Sequence, residues 1–228
     1  MRFPPCLNKS SIFLSLVVVL LKAVFFEAAA ADLPAVLVAE PGAWVNVMPS
    51  ADLRGWTRLA IPGTNALGRA QWHLDAAQRL LACDGDGGHE MLRFDRKLTN
   101  CIFHVEFRFV PLTVKRPKYN SGIYIRNSAD GTIWHQCQLT FDGGYLFGKT
   151  PVNGQLQSFM APAENRCMKP AGEWNTVEIT ACATTLTVWF NGALMSELAN
   201  CEMPAGYIGL ESEGFAVEFR NLKLKELP

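Results

Sequence analysis

From Asn120 to Leu139 the chain reads NSGIYIRNSADGTIWHQCQL, apolar and polar residues alternating on either side of a short polar stretch. Side chains on a strand point to opposite faces in turn, so the pattern predicts a strand pair with Ile123, Ile125, Cys137 and Leu139 in a core. Tyr124, Arg126, Trp134, Gln136 and Gln138 then share the other face, with Asn120 at its edge. The run CIFHVEFRFV repeats the pattern: Phe103, Val105, Phe107 and Phe109 lie on one side, and His104, Glu106 and Arg108 on the other. In WNTVEITACATTLTVWFNG, Val177, Ile179 and Ala181 are expected to face Leu186, Val188 and Phe190 across a turn at Ala183 and Thr184, and Asn191-Gly192 marks a second tight turn. In FAVEFRNLKLKEL the apolar pair Val217 and Phe219 is out of phase with Leu222 and Leu224, which predicts a bulge near Arg220 and Asn221. No segment has helical periodicity. Short strands punctuated by Gly, Asn and Pro indicate an all-β sandwich or barrel.

Three stretches fall outside this pattern. Residues 148–170 lack a clear period and are expected to form a long loop, and residues 32–52 an irregular lead-in. At the start, Arg2 and Lys9, the apolar run Ile12–Leu21 and the alanines Ala28–Ala31 follow the order of a secretory signal peptide over residues 1–31. That apolar run is too short to span a bilayer, which takes ~20 residues. The expectation is one domain over residues 53–228 in an exported, periplasmic or extracellular protein without stable membrane contact after signal removal.

Charge and cysteines narrow the partners. Lys and Arg total 21 and Asp and Glu total 21, so the balanced chain offers no general nucleic-acid surface and suits a neutral polar ligand. Six cysteines follow the signal (Cys83, Cys101, Cys137, Cys167, Cys182 and Cys201), an even number that permits up to three disulfides. Alternation turns Cys137 inward, where a buried free thiol is equally consistent. No CxxC spacing suggests zinc, and DGDGGHE from Asp84 to Glu90 lacks the ligand spacing of a calcium loop. No metal or cofactor is expected. Alternation also turns His135 into the core, and leaves Glu106 and Arg126 readable as a cross-strand ion pair on a solvated face.

Eight blocks in order carry a resemblance. They are Gly55-Trp56, FHVEFRF, NSGIYIR, WHQCQL, KPAGEWNTVEI from Lys169, the Asn191-Gly192 turn, YIGLESEG from Tyr207 and VEFRNLKLKEL from Val217. From about Leu53 to Pro228 the chain is similar to the 3-keto-disaccharide hydrolase domain family. The resemblance implies a concanavalin A-like jelly roll of two curved antiparallel sheets with a ligand groove on the concave face. It also implies action on glycosides already oxidised at carbon 3, so a sugar 3-dehydrogenase would supply the carbohydrate substrate. Where many relatives carry a glutamate, this chain has Gln136, so any acid–base role of that glutamate is lost or moved here.

The implied chemistry differs from ordinary glycoside hydrolysis by two flanking carboxylates. A ketone at carbon 3 acidifies the hydrogen on carbon 2, so a base can start an elimination that expels the group on carbon 1, and water can then add. Such a route needs a base, an oxyanion donor and a leaving-group acid. Glu211, on YIGLESEG opposite core-facing Ile208 and Leu210, is the first nominee for base and Glu106 the second. Arg126 is the nominee for enolate donor, and His135 or His104 for acid. Tyr124, Gln136, Gln138, Trp134 and Asn120 would bind substrate. The alternative is a carbohydrate-binding module of the same fold without turnover.

Overall fold

The computed structural model of the protein describes residues 42–228. The expected signal peptide and the first part of the lead-in, through Pro41, lie outside the described residues. Fifteen strands follow one another, with no helix among the described residues. They are β1 (Val45–Asn46), β2 (Trp56–Ala60), β3 (Trp72–Asp75), β4 (Leu80–Cys83), β5 (Glu90–Phe94), β6 (Cys101–Phe109), β7 (Ser121–Asn127), β8 (Trp134–Leu139), β9 (Leu146–Val152), β10 (Gln155–Ala161), β11 (Asn175–Cys182), β12 (Thr185–Phe190), β13 (Ala193–Leu198), β14 (Tyr207–Ser212) and β15 (Val217–Glu226).

The strands form two antiparallel sheets, the expected concanavalin A-like jelly-roll sandwich. One has eight strands in the order β13-β12-β11-β6-β15-β4-β3, with β1 added to β15; the other has seven, β10-β9-β8-β7-β14-β5-β2. Within the stretch read as irregular lead-in, Val45 pairs with Leu224 and Val47 is buried.

The inner faces are filled by the residues that alternation selects. Phe103, Val105 and Phe107 of β6 and Ile123, Ile125, Cys137 and Leu139 of the β7–β8 pair are within 1% of complete burial. Each such aliphatic or aromatic side chain contributes about 1.5–3 kcal/mol relative to an exposed position. Val177, Ile179 and Ala181 pair with Phe190, Val188 and Leu186, and Asn191 and Gly192 both have positive φ (48° and 85°), as the tight turn demands. On β15 the register with β6 slips between Arg220 and Lys223, with Asn221 at φ 53°, so the bulge lies where the phase change predicts it.

One expectation fails. The segment 148–170 is not a long loop: β9 and β10 form a regular hairpin turning at Asn153 and Gly154, both at positive φ. Its pattern is obscured because β10 is an edge strand, exposed on both sides over most of its length. The even cysteine count permits up to three disulfides, and Cys83, Cys101, Cys137, Cys167 and Cys201 are free thiols. Burial pushes the Cys83 thiol up to about 11 and that of Cys101 to about 12, so both stay protonated and behave as small apolar side chains.

Candidate functional site

Glu211 lies at the centre of the outer face of the seven-stranded sheet. Its neighbours in sequence, Leu210 and Ser212, point inward, so its carboxylate stands on the surface side of β14, between β5 and β7. It is nevertheless only 1% exposed, because three donors enclose it. The Tyr124 hydroxyl donates to Oε1 at 2.5 Å, the Gln136 amide donates to Oε2 at 2.7 Å, and His89 Nε2 lies 3.0 Å from Oε1. Ser121 Oγ donates to the Glu211 backbone carbonyl at 2.8 Å and fixes the strand beneath.

Gln136 reaches Glu211 across β7 because position 122 is glycine. A Cβ there would stand 2.4 Å from Gln136 Nε2 and 2.7 Å from its Cγ, so any side chain would lift the amide off the carboxylate. Gln136 also donates to Gln138 Oε1 at 3.3 Å; Gln138 donates to Asn120 Oδ1, and Asn120 hydrogen-bonds Glu213. His89 closes the circuit, 3.9 Å from Glu213 and in contact with Glu211.

His89 precedes β5, where its backbone carbonyl accepts from Ile61 N at 2.9 Å. The next residue, Glu90, turns inward to Arg58 Nε and Nη2 at 2.8 and 2.7 Å and to Trp72 Nε1 at 2.6 Å. That anchor holds the start of β5 and so the position of His89.

The cluster is buried at its base and open at His89 and Glu213, whose side chains are 35% and 40% exposed. The hydrogen bond to Glu211 holds the His89 pKa above the ordinary imidazole value, against the opposing effect of burial. Desolvation, and then the charge of Glu211, raise Glu213 above the ordinary carboxylate value, while His89 and Asn120 oppose the rise. Burial and the adjacent carboxylate push the Tyr124 phenol well up, so it remains a neutral donor. His89, Glu211 and Glu213 also bring one potential metal-ligand atom each to within 4.8 Å of one another. Tyr124 and Gln136 each take one lone pair of a different Glu211 oxygen.

Beside this cluster the outer face becomes aromatic. Trp134 and Gln136 share the surface side of β8, and Trp134 meets Phe147 edge to face, with ring centroids 5.2 Å apart. Phe147 lies opposite Gln136 across the β8–β9 ladder, and Tyr145 packs against Phe147 at 5.5 Å.

Of the sequence nominees, Glu211, Tyr124, Gln136, Gln138, Asn120 and Trp134 come together on this face. Arg126 does not join them. The β7–β14 register shifts between Tyr207 and Gly209, Arg126 takes a positive φ of 52°, and alternation breaks there. Its guanidinium is buried at one end of the sandwich, donating to Ala183 O at 2.6 Å and to Asn100 Oδ1 at 3.2 Å. Glu106 lies on the outer face of the eight-stranded sheet, where it accepts from Arg220 Nε and Asn221 Nδ2, each at 2.7 Å. Glu106 and Arg126 therefore cannot form the cross-strand pair.

The proposed acids are elsewhere too. His104 is buried against Glu178 on the same sheet as Glu106, with Nδ1 2.8 Å from Oε1. His135 is in the core, as alternation predicts, with Nδ1 3.2 Å from Ile125 O and Nε2 3.0 Å from Thr150 Oγ1. The histidine and second carboxylate that do reach the site, His89 and Glu213, are not among the sequence nominees. Glu213 follows β14, and its spacing of two from Glu211 was the available signal; His89 ends a glycine-rich turn that has no period.

The sequence profile of the 3-keto-α-glucoside-1,2-lyase-like domain matches residues 43–225. A comparison with curated proteins finds no match. Among solved structures, the fold is similar to a putative glycosyl hydrolase from Parabacteroides distasonis ATCC 8503, with TM-score 0.57 and 15% identity over 87% of this chain and 99% of that one. It is also similar to the carbohydrate binding module CBM66 from Bacillus subtilis, with TM-score 0.54 and 12% identity over 75% and 96%. A Bacillus licheniformis β-glucanase aligns with TM-score 0.50 and 10% identity over 76% and 93%. At these identities the structures report a shared jelly-roll fold that serves both catalysis and binding. The profile match spans most of the chain, and the chain belongs to the 3-keto-α-glucoside-1,2-lyase-like domain family.

Proposed function

We propose that the protein is an exported enzyme that cleaves the glycosidic bond of 3-keto-glucosides, 3-keto disaccharides among them, by elimination followed by hydration. The observation that carries this reading is the Glu211 carboxylate enclosed by Tyr124, Gln136 and His89, with Glu213 beside it at the open side. Two proton-handling groups with raised pKa values stand together at the surface of that cluster, as proton abstraction and leaving-group protonation require.

Burial shifts the role of Glu211 from base to partner. In this reading Glu213, a stronger base than an ordinary carboxylate, takes the proton from carbon 2. The electron pair of that C–H bond forms the enolate of the carbon-3 ketone. It then returns to make the carbon 1–carbon 2 double bond as the bond from carbon 1 to the aglycone oxygen breaks. His89, whose protonated form the hydrogen bond to Glu211 favours, delivers a proton to that oxygen. Water adds at carbon 1 and a proton returns to carbon 2, for a net hydrolysis. Tyr124 and Gln136 hold Glu211, while Gln138 and Asn120 position Glu213. Oxidation at carbon 3 must come first, so a sugar 3-dehydrogenase acts upstream. The signal-like N-terminal sequence favours a periplasmic or extracellular site of action.

Product analysis of the purified protein with a 3-keto disaccharide and its unoxidised parent, beside a Glu211→Gln variant, tests the reading. Cleavage of the oxidised sugar alone, lost in the variant, is expected. Saturable sugar binding without cleavage would instead make the domain a carbohydrate-binding module.

A further inference from the structure

The two sheets end on four strands, β13 and β3 in one and β10 and β2 in the other, and the added β1 is only two residues long. A sheet edge is kept from pairing with another chain by charge, shortness, a bulge or cover. Three of the four edges have such a guard. β2 carries Arg58, and the four-residue β3 carries His73 and Asp75. β13 carries Glu197 and is covered in part by the segment after β10, where Glu164 N donates to Met195 O and Asn165 Nδ2 to Leu194 O, each at 2.7 Å. β10 has none of these. Its seven residues, Gln155–Ala161, include no charge and no proline, and they pair with β9 without a bulge. The strand is nevertheless firmly placed. Glu202 accepts from Asn153 N at 2.7 Å and Gly154 N at 3.2 Å at the hairpin tip, and Phe159 packs against the core.

Two residues, Asn153 and Gly154, make the turn between β9 and β10, so Val152 and Gln155 beside it form a hydrogen-bonded pair. Every second residue of β10 from Gln155 therefore bonds to β9, and the N–H and C=O groups of Leu156, Ser158 and Met160 point away from the sheet. No partner meets them there among the described residues. An antiparallel second copy of β10, related by a two-fold axis through Ser158, satisfies all of them. Ser158 then lies opposite Ser158 of the partner subunit, and Leu156 opposite Met160 of the partner subunit. Leu156 and Met160 are the apolar residues that the strand leaves exposed, at 51% and 68%, and this register sets them against each other. It also extends an apolar row from Phe147 through Met160 to Leu156 of the partner subunit. No like charges meet across the pair, and a chain with 21 basic and 21 acidic residues approaches its own copy without net repulsion.

We infer that β10 pairs with β10 of a second copy of this chain, making a two-fold dimer with one continuous antiparallel sheet. The pairing uses up the open edge, so assembly stops at two. The axis stands perpendicular to the sheet, so the two Glu211 clusters lie on the same side of it, about 40 Å apart at about 4.8 Å per strand. The dimer does not depend on the reaction assigned to those clusters. One strand pair is a small interface, at the low end of the specific range, and a dissociation constant of roughly 10 µM is expected. Sedimentation equilibrium of the purified protein from about 1 to about 100 µM should show monomer giving way to dimer. Leu156→Lys, at an exposed position and checked for an unchanged melting temperature, should weaken the dimer about tenfold, as a lysine on an edge strand does. Adding Met160→Glu sets each lysine opposite a glutamate in this register and should recover most of that loss. A protein still monomeric at roughly 100 µM, or a dimer that Leu156→Lys leaves unchanged, would overturn the pairing. A double variant no tighter than the single one would overturn the register on which the inference stands.

Discussion

Gly122 and His89 are the two positions at which single-residue changes report most directly on the Glu211 cluster. At Gly122 any Cβ collides with the Gln136 side chain, so Gly122→Ala should displace the amide from Glu211. The expected cost is about 1–3 kcal/mol of stability, typical of an overpacked site. Turnover should fall about tenfold, the rate equivalent of some 1.4 kcal/mol lost from the transition state. Denaturant unfolding and steady-state kinetics on the same variant read both effects, and wild-type turnover in Gly122→Ala would separate Gln136 from the chemistry.

At His89 the raised pKa gives a sign. As leaving-group acid it must be protonated, so activity should decline as pH rises through that pKa, and His89→Asn should lower the rate and remove that alkaline limb. An unchanged pH profile in the variant would exclude His89 as the acid. Glu211 was legible from the alternation of YIGLESEG, and Tyr124, Gln136 and Gln138 from their shared face. His89 was not, because the glycines around it set its position through backbone geometry rather than through a repeating pattern.

At the scale of elements, a regular strand predicts its own faces and a bulge hides them. The bulge in β15 was legible because apolar residues on both sides of it reveal the phase slip. The break in β7 was not, because it falls at the strand's last residues, with no further apolar positions to expose it. Arg126 consequently reads as a groove residue and folds as an anchor between Asn100 and Ala183. Arg126→Met should lower the melting temperature while leaving kcat and KM per folded molecule near wild type. A selective loss of kcat with unchanged stability would restore Arg126 to the chemistry.

For the whole molecule, the missing information was which strands share a sheet. β6 and β7 are consecutive in sequence yet belong to opposite sheets, which sends Glu106 to the far side of the sandwich from Tyr124. Each strand's inward residues can be read locally, but the jelly-roll crossovers that bring β14 between β5 and β7 cannot. The core carries a pH dependence of its own. Burial lowers the His135 pKa to about 4, below its unfolded value near 6.5, because the imidazole is enclosed with Ile125 O and Thr150. The neutral form is favoured in the folded state, so this contribution is fully present above the unfolded pKa and is lost as pH falls from about 6.5 to about 4, by on the order of 3 kcal/mol. Urea unfolding across that window should show the decline, and a His135→Gln variant should show a flatter one.

The central claim is that the bond breaks by elimination through carbon 2 at the Glu211 cluster. The most direct measurement follows a 3-keto glucoside deuterated at carbon 2, with the deuterium content of the first-formed product read by mass spectrometry. Elimination and hydration predict that the label passes to solvent during turnover and that its presence slows the reaction. Product that retains the label, formed at an unchanged rate, would mean that carbon 1 is attacked directly, and would contradict the account.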